Sequence, residues 1–235
     1  MSADAAAVLA HVKATLGDPA GWSAPVAHTS VALAVIDSVW GINSRWTSVR
    51  NVIDRYRRAR QGSDDQANLA DMADPDTDAP EDLLAFIESS GGGAAFAEVV
   101  QNRQRTSTRN GILKAEAVRQ AASVLRDHRI RTPADVRGAS PEHLAALRQD
   151  WTQIPGQRSG LSLDAFLLST GVGSVKADRM VRRFVADALN APGERSITPA
   201  RAAALVEAAA TLARIDARLL DAAIWQYESD RVRRR

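Results

Sequence analysis

The chain has 235 residues, 45% of them hydrophobic, with 30 basic and 28 acidic side chains for a net charge of +2 and a pI near 9.4. That is enough chain to bury a core in one large domain or two small lobes. The absence of cysteine excludes disulfides, thiol nucleophiles, zinc–thiolate sites and iron–sulfur clusters. No run of about eighteen apolar residues occurs, so no membrane-spanning helix is expected. The opening Met1-Ser2-Ala3-Asp4 carries no basic stretch of the kind that begins a signal peptide. These features lead us to expect a cytoplasmic protein, nucleoid-associated if bacterial.

Strand signals are nearly absent, and the apolar residues recur at helical spacing. A first helix is expected from Ala5-Ala6-Ala7-Val8-Leu9 to the breaker Gly17-Asp18-Pro19. Thr29 or Ser30 can cap a second helix, which runs through Val31, Val35, Ile36 and Val39 to Trp40 and stops at Gly41. Asn43 or Ser44 can cap a third, with Trp46, Val49, Val52, Ile53 and Tyr56 on one face and most of its arginines off it. Residues 61–79 are polar, acidic and interrupted by proline, and read as a loop or mobile insert. Pro80 opens a helix through Ile87, ended by Ser89-Ser90-Gly91-Gly92-Gly93, and another covers about 94–102. A helix at 112–127 follows Asn110-Gly111, and Thr132-Pro133 and Ser140-Pro141 each start a short one. Further helices are expected at 161–170, from Asp178 to Leu189, after Thr198-Pro199 and near Asp216. The fold class is therefore all-α, with roughly ten helices.

Charge is unevenly distributed. Residues 61–100 hold ten acidic side chains and no Lys or Arg, whereas Arg45–Arg60, Arg103–Arg131, Arg179–Arg183 and the tail from Arg231 are basic. Only Lys13, Lys114 and Lys176 are lysines, so the basic surface is guanidinium, the group that forks onto phosphate. The pattern suits a protein that meets a polyanion with one face. It equally suits an arginine-rich surface with no such partner.

Ile154-Pro155-Gly156-Gln157-Arg158-Ser159-Gly160 is a sharp turn into an apolar helix containing Leu161, Leu163, Phe166, Leu167 and Leu168. Glycines let a backbone turn tightly and approach phosphate, and amides at a helix start point at phosphate oxygens. Gly171-Val172-Gly173 ends that helix, and Asp178, 22 positions after Gly156, heads an arginine-rich one. Taken singly, the first is an ordinary turn and the second an ordinary helix cap.

The order and spacing resemble the helix-hairpin-helix (HhH-GPD) DNA glycosylases. In that family a Leu-Pro-Gly-Val-Gly hairpin precedes, at this distance, a Val-Asp-Thr-His-Val-x-Arg segment with a catalytic aspartate. Ile154-Pro155-Gly156 is similar to the first, and Ala177-Asp178-Arg179-Met180-Val181-Arg182-Arg183 to the second. Upstream, Val31–Trp40 with Ile42–Val49 resembles the family's first core helix and following polar loop, and Gly111–Val118 its Gly-x-x-x-Lys-Ala segment. The match runs loosely from about 30 to 190.

The resemblance implies a two-lobed helical fold. A lobe over about 30–140 would carry the acidic loop, 141–190 the hairpin and catalytic segment, and 191–235 would return to the other lobe with 1–29. Asp178 is the implied catalytic residue. Trp46 is the better candidate to stack on a flipped base, with Asn43 or Asp37 reading its edge; Trp40 is a second stacking candidate that core packing explains better, and Trp22 and Tyr56 are others. Gly156, Gln157, Arg158, Ser159, Gly160, Arg45, Arg179 and Arg182 are the implied contacts to double-stranded DNA. Trp151 and Trp225 read as core, and His28 and His128 as surface or capping residues.

The departures carry information. Arg158 replaces the hairpin's usual second glycine, Met180 replaces the histidine, and Gly160 stands where bifunctional members have their lysine nucleophile. Without that amine no Schiff base forms with the sugar. The expected activity is a monofunctional glycosylase acting on a damaged or modified base, in repair or in defence against modified phage DNA. It would be a monomer and need no cofactor and no metal. A non-catalytic DNA-binding protein that keeps the hairpin is the alternative, and a helical protein that contacts a partner through its acidic segment is a third reading.

Overall fold

The computed structural model describes residues 2–22, 27–61, 76–108, 111–173 and 175–233. Among them the chain forms twelve α-helices and no strand beyond one isolated bridge, Arg105 with Leu113. They are α1 (Ala3–Thr15), α2 (Val31–Trp40), α3 (Trp46–Gln61), α4 (Pro80–Ser89), α5 (Gly93–Val99), α6 (Lys114–Asp127), α7 (Pro133–Gly138), α8 (Pro141–Trp151), α9 (Leu161–Ser169), α10 (Arg179–Ala188), α11 (Pro199–Ala213) and α12 (Ala217–Arg233). The all-α expectation holds.

Local chemistry sets most of the boundaries. Ser30, Thr132, Ser140, Asp178 and Thr198 each accept a first-turn amide through the side chain, and Pro follows Thr132, Ser140 and Thr198 at the first helical position. α5 stops at Val99, short of the expected 102, because Gln101 takes a left-handed conformation at φ +48°. α6 starts at Lys114 because Leu113 pairs with Arg105 across the bridge. Neither Asn43 nor Ser44 caps α3. Val49 N–H reaches Arg45 O, and the Ser44 hydroxyl is held by Gln104 and Lys114.

Two compact units divide the chain: Ala27–Val172, and Met1–Val26 with Gly173–Arg235. Each has its own core. In the continuous unit, nine of the ten residues of α2 are buried, so this helix is apolar all round and packs on α6 and α9. Trp40, Tyr56, Phe86 and Phe96 meet edge to face beside it, with ring centroids 5.5–6.2 Å apart. In the terminal unit, Ala5, Val8 and Val12 of α1 pack with Val181 and Phe184 of α10, Val206 and Ala209 of α11, and Leu220 and Ile224 of α12. The division falls inside the expected 141–190 segment, so the hairpin belongs to one unit and Asp178 to the other.

Most of the acidic segment, 62–75, lies outside the described residues. Its last turn does not stand apart from the basic helix. Asp78 accepts both Nε and a terminal nitrogen of Arg60 at 2.8 Å and the Tyr56 hydroxyl at 2.5 Å. Arg57 pairs with Asp76 at 2.6 Å. Burial and the Asp78 carboxylate push the Tyr56 hydroxyl well above its ordinary pKa. Arg55 donates to Val100 O at 3.0 Å, beyond the end of α5. Much of the positive charge on α3 is therefore committed inside the protein.

Candidate nucleic-acid interface and catalytic carboxylate

In the continuous unit the hairpin is a pair of tight turns. Gln157 N–H bonds Ile154 O and Gly160 N–H bonds Gln157 O, both at 2.9 Å. Gly156 has φ +86°, and a Cβ there would run into Thr106. Gly160 has φ +73° at the N-cap of α9 and brings no side chain to the first-turn amides. Pro155, Gly156, Arg158 and Ser159 are exposed, and Arg158 has no ion-pair partner among the described residues.

Gln157 corrects the sequence reading. Its side chain is 3% exposed and accepts the Ser162 hydroxyl at 2.5 Å, while Ser162 accepts Trp151 Nε1 at 2.9 Å. This relay braces the hairpin from inside and leaves Gln157 no side-chain reach to an external phosphate.

The loop between α2 and α3 is held by Lys114. The residue is 3% exposed, and its ammonium donates to Trp40 O at 3.0 Å, Ile42 O at 2.6 Å, Ser44 Oγ at 2.8 Å and Gln104 Oε1 at 3.4 Å. Burial lowers its pKa to about 8. Ser44 Oγ also donates to Gln104 Oε1 at 2.8 Å, and Asn102 Nδ2 to Ser48 Oγ at 3.2 Å. Residues 102–106 thus touch the α2–α3 loop at one end and, through Thr106, the hairpin at the other. Asn43 and Arg45 are exposed on this loop and Trp46 is half-buried against the core. Asn43 takes φ +52°, which asparagine tolerates.

The other expected base contacts differ. Trp40 is fully enclosed, edge-on to Phe96, so it packs the core and offers no face to a base. Tyr56 is likewise enclosed. Asp37 pairs with His28 Nε2 at 2.9 Å, which places His28 in a half-buried pair. His128 bonds Asp150 at 2.8 Å and stacks on His143. Trp151 is core, as expected, while Trp225 is half-buried. Trp22, in the terminal unit, donates to Leu16 O at 2.8 Å. A shallow cavity of about 270 Å³ between α6 and α8, lined in part by Arg119, Asp150 and Gln153, includes none of the expected site residues.

In the terminal unit, Asp178 is half-buried at the head of α10. Its Oδ1 accepts the amides of Met180 at 2.7 Å and Val181 at 3.2 Å, and Oδ2 has no hydrogen bond among the described residues. The helix start holds the carboxylate by one oxygen and presents the other. Arg179 is exposed, without an ion pair among the described residues. Arg182 is half-buried and turns part of its guanidinium inward, donating to Ile197 O at 2.8 Å and Glu194 O at 2.9 Å. Met180 Sδ accepts from Arg183, which also reaches the fully buried Glu228 at 2.5 Å.

Sequence reasoning missed Asp221 of α12. The residue is 5% exposed, and its carboxyl accepts the Lys176 amide at 3.0 Å and feels the Asp178 charge. The contact spans 45 residues, so no local pattern announces it.

Among the described residues no group of three or more His, Asp or Glu could hold a metal ion, and no helix is long and apolar enough to cross a membrane. No curated protein and no solved structure matches the chain. A family model does match, over residues 6–229, and the chain belongs to that family, described as Domain of unknown function (DUF8548).

Proposed function

We propose that the protein is a monofunctional DNA glycosylase with a two-lobed helix-hairpin-helix fold, hydrolysing the bond between a flipped, damaged or modified base and its sugar. The observation that carries this reading is the Asp178 carboxylate, fixed through Oδ1 and open at Oδ2. An aspartate so held can take a proton from the water that attacks C1′, or face the positive charge that develops at the sugar as the glycosidic bond breaks. The base leaves with the bonding electron pair and gains a proton, and hydroxide from water ends on C1′. Supporting it is the exposed surface of the continuous unit, where Asn43 and Arg45 are tied through residues 102–106 to the hairpin with Arg158 and Ser159. Gly160 supplies no amine, so the sugar–phosphate chain is left intact.

The test is incubation of the full chain with duplexes carrying a panel of modified bases, followed by alkali. Strand breaks are expected after alkali only, with Asp178→Asn slowing them by about 10²–10³-fold. DNA binding with no base loss on any duplex would instead support the non-catalytic reading, which the N-cap role of Asp178 favours.

A further inference from the structure

We propose that Asp221 is a positioning residue of this site, whose ionised carboxylate fixes the Lys176–Asp178 turn and so aims the free oxygen of Asp178. The inference rests on the glycosylase reading of Asp178. Lys176 is gripped at both ends of its own residue. Its N–H donates to Asp221 Oδ1 at 3.0 Å, and its C=O accepts Asp178 N–H at 2.6 Å, closing a three-residue turn. Between them Ala177 is buried in the core of the terminal unit. Asp178 thus has two fixed supports: the α10 amides on its Oδ1 and the Asp221-anchored turn behind its backbone.

A merely structural anchor does not call for a carboxylate here. Asparagine would accept the same amide without the cost of burying a charge. Asp221 instead carries an acid beside a second acid. Burial pushes it up to about 7; the Lys176 amide pulls it down, the Asp178 charge raises it and the Lys176 ammonium lowers it. Most other charged groups on α10, α11 and α12 are engaged elsewhere. On α10, Arg182 serves backbone carbonyls, Arg183 binds Glu228 and Asp187 binds Arg231. On α11 Arg201 pairs with Asp4, and on α12 Arg218 pairs with Asp216 and Arg231 also reaches Glu228. Glu207 of α11 and Asp230 of α12 also have partners, and Arg179 is exposed. Ionisation makes the Lys176 hydrogen bond charge-assisted and adds negative potential behind Asp178. The ionised form is the active one.

Two readouts on the full chain decide this, in wild type and Asp221→Asn, with Asp221→Ser as a second variant should the first melt early. In amide NMR, the Lys176 and Asp178 resonances should shift with pH around neutrality in the wild type and stay still in Asp221→Asn. No shift, or the same shift in the variant, overturns the anchor. In single-turnover base excision, the wild-type rate should fall about tenfold from about pH 8 to about pH 6, as the ionised fraction of one such group does. Asp221→Asn should remove that limb. A limb that persists in the variant overturns the proposal even if the rate is lower, because a structural lesion lowers the whole profile. Base loss from no duplex at any pH sinks the glycosylase reading and the aiming role with it, while the NMR titration still decides the anchor.

Discussion

Two buried ionisable residues give this protein opposite pH dependences. Lys114 titrates at about 8 in the fold against an ordinary 10.5. Between those values the unfolded chain holds more protons, so this group makes stability rise with pH across that window. Asp221 titrates at about 7 against an ordinary 3.8, so the fold holds the extra proton and stability falls as pH rises through that window. Lys114→Met should flatten the alkaline rise and, near neutrality, cost about 2–4 kcal/mol in urea unfolding, because buried acceptors at Trp40 O and Ile42 O lose their donor. It should also weaken DNA binding, since the same ammonium holds the loop bearing Asn43 and Arg45. A variant as stable as wild type at neutrality, with the same alkaline profile, would show that these bonds do not hold the loop.

At the scale of elements, the hairpin glycines differ in what they can tolerate. Gly156→Ala meets both a left-handed backbone at φ +86° and the Thr106 side chain on a neighbouring segment. It should cost about 2–3 kcal/mol and reduce DNA binding. Gly160→Ala, at φ +73°, meets only the end of the Arg148 side chain, which can swing away at the expense of its pair with Asp164; about 1 kcal/mol is expected. Equal costs in urea unfolding would contradict the close Thr106 packing. The turn itself was legible in Pro155-Gly156, as were the caps at Ser30, Thr132, Ser140 and Thr198, because a capping oxygen lies within three residues of the amide it accepts. What the sequence could not disclose is long-range. Lys114 reaches Trp40 and Ile42 over more than seventy positions, and Asp221 reaches Lys176 over 45. Arg55, Arg57, Arg60 and Arg182 look free in a string of letters and are spent on carbonyls and carboxylates once the chain folds.

The two cores predict how the whole chain comes apart. The larger cluster draws every member from residues 31–167, inside the continuous unit. The smaller joins α1 to α10, α11 and α12, so the terminal unit needs both ends of the chain. A chain of residues 27–172 should therefore fold alone, with a helical circular-dichroism spectrum and one cooperative melt. Residues 173–235 without α1 should not, because Val206, Ala209 and Phe184 lose the cover of Ala5, Val8 and Val12. The isolated continuous unit retains Arg45, Arg158 and the hairpin, and should bind duplex DNA with an affinity that falls steeply with salt, as phosphate contacts require. Lacking Asp178, it should release no base. Folding without any salt-dependent binding would count against DNA contact through the hairpin face.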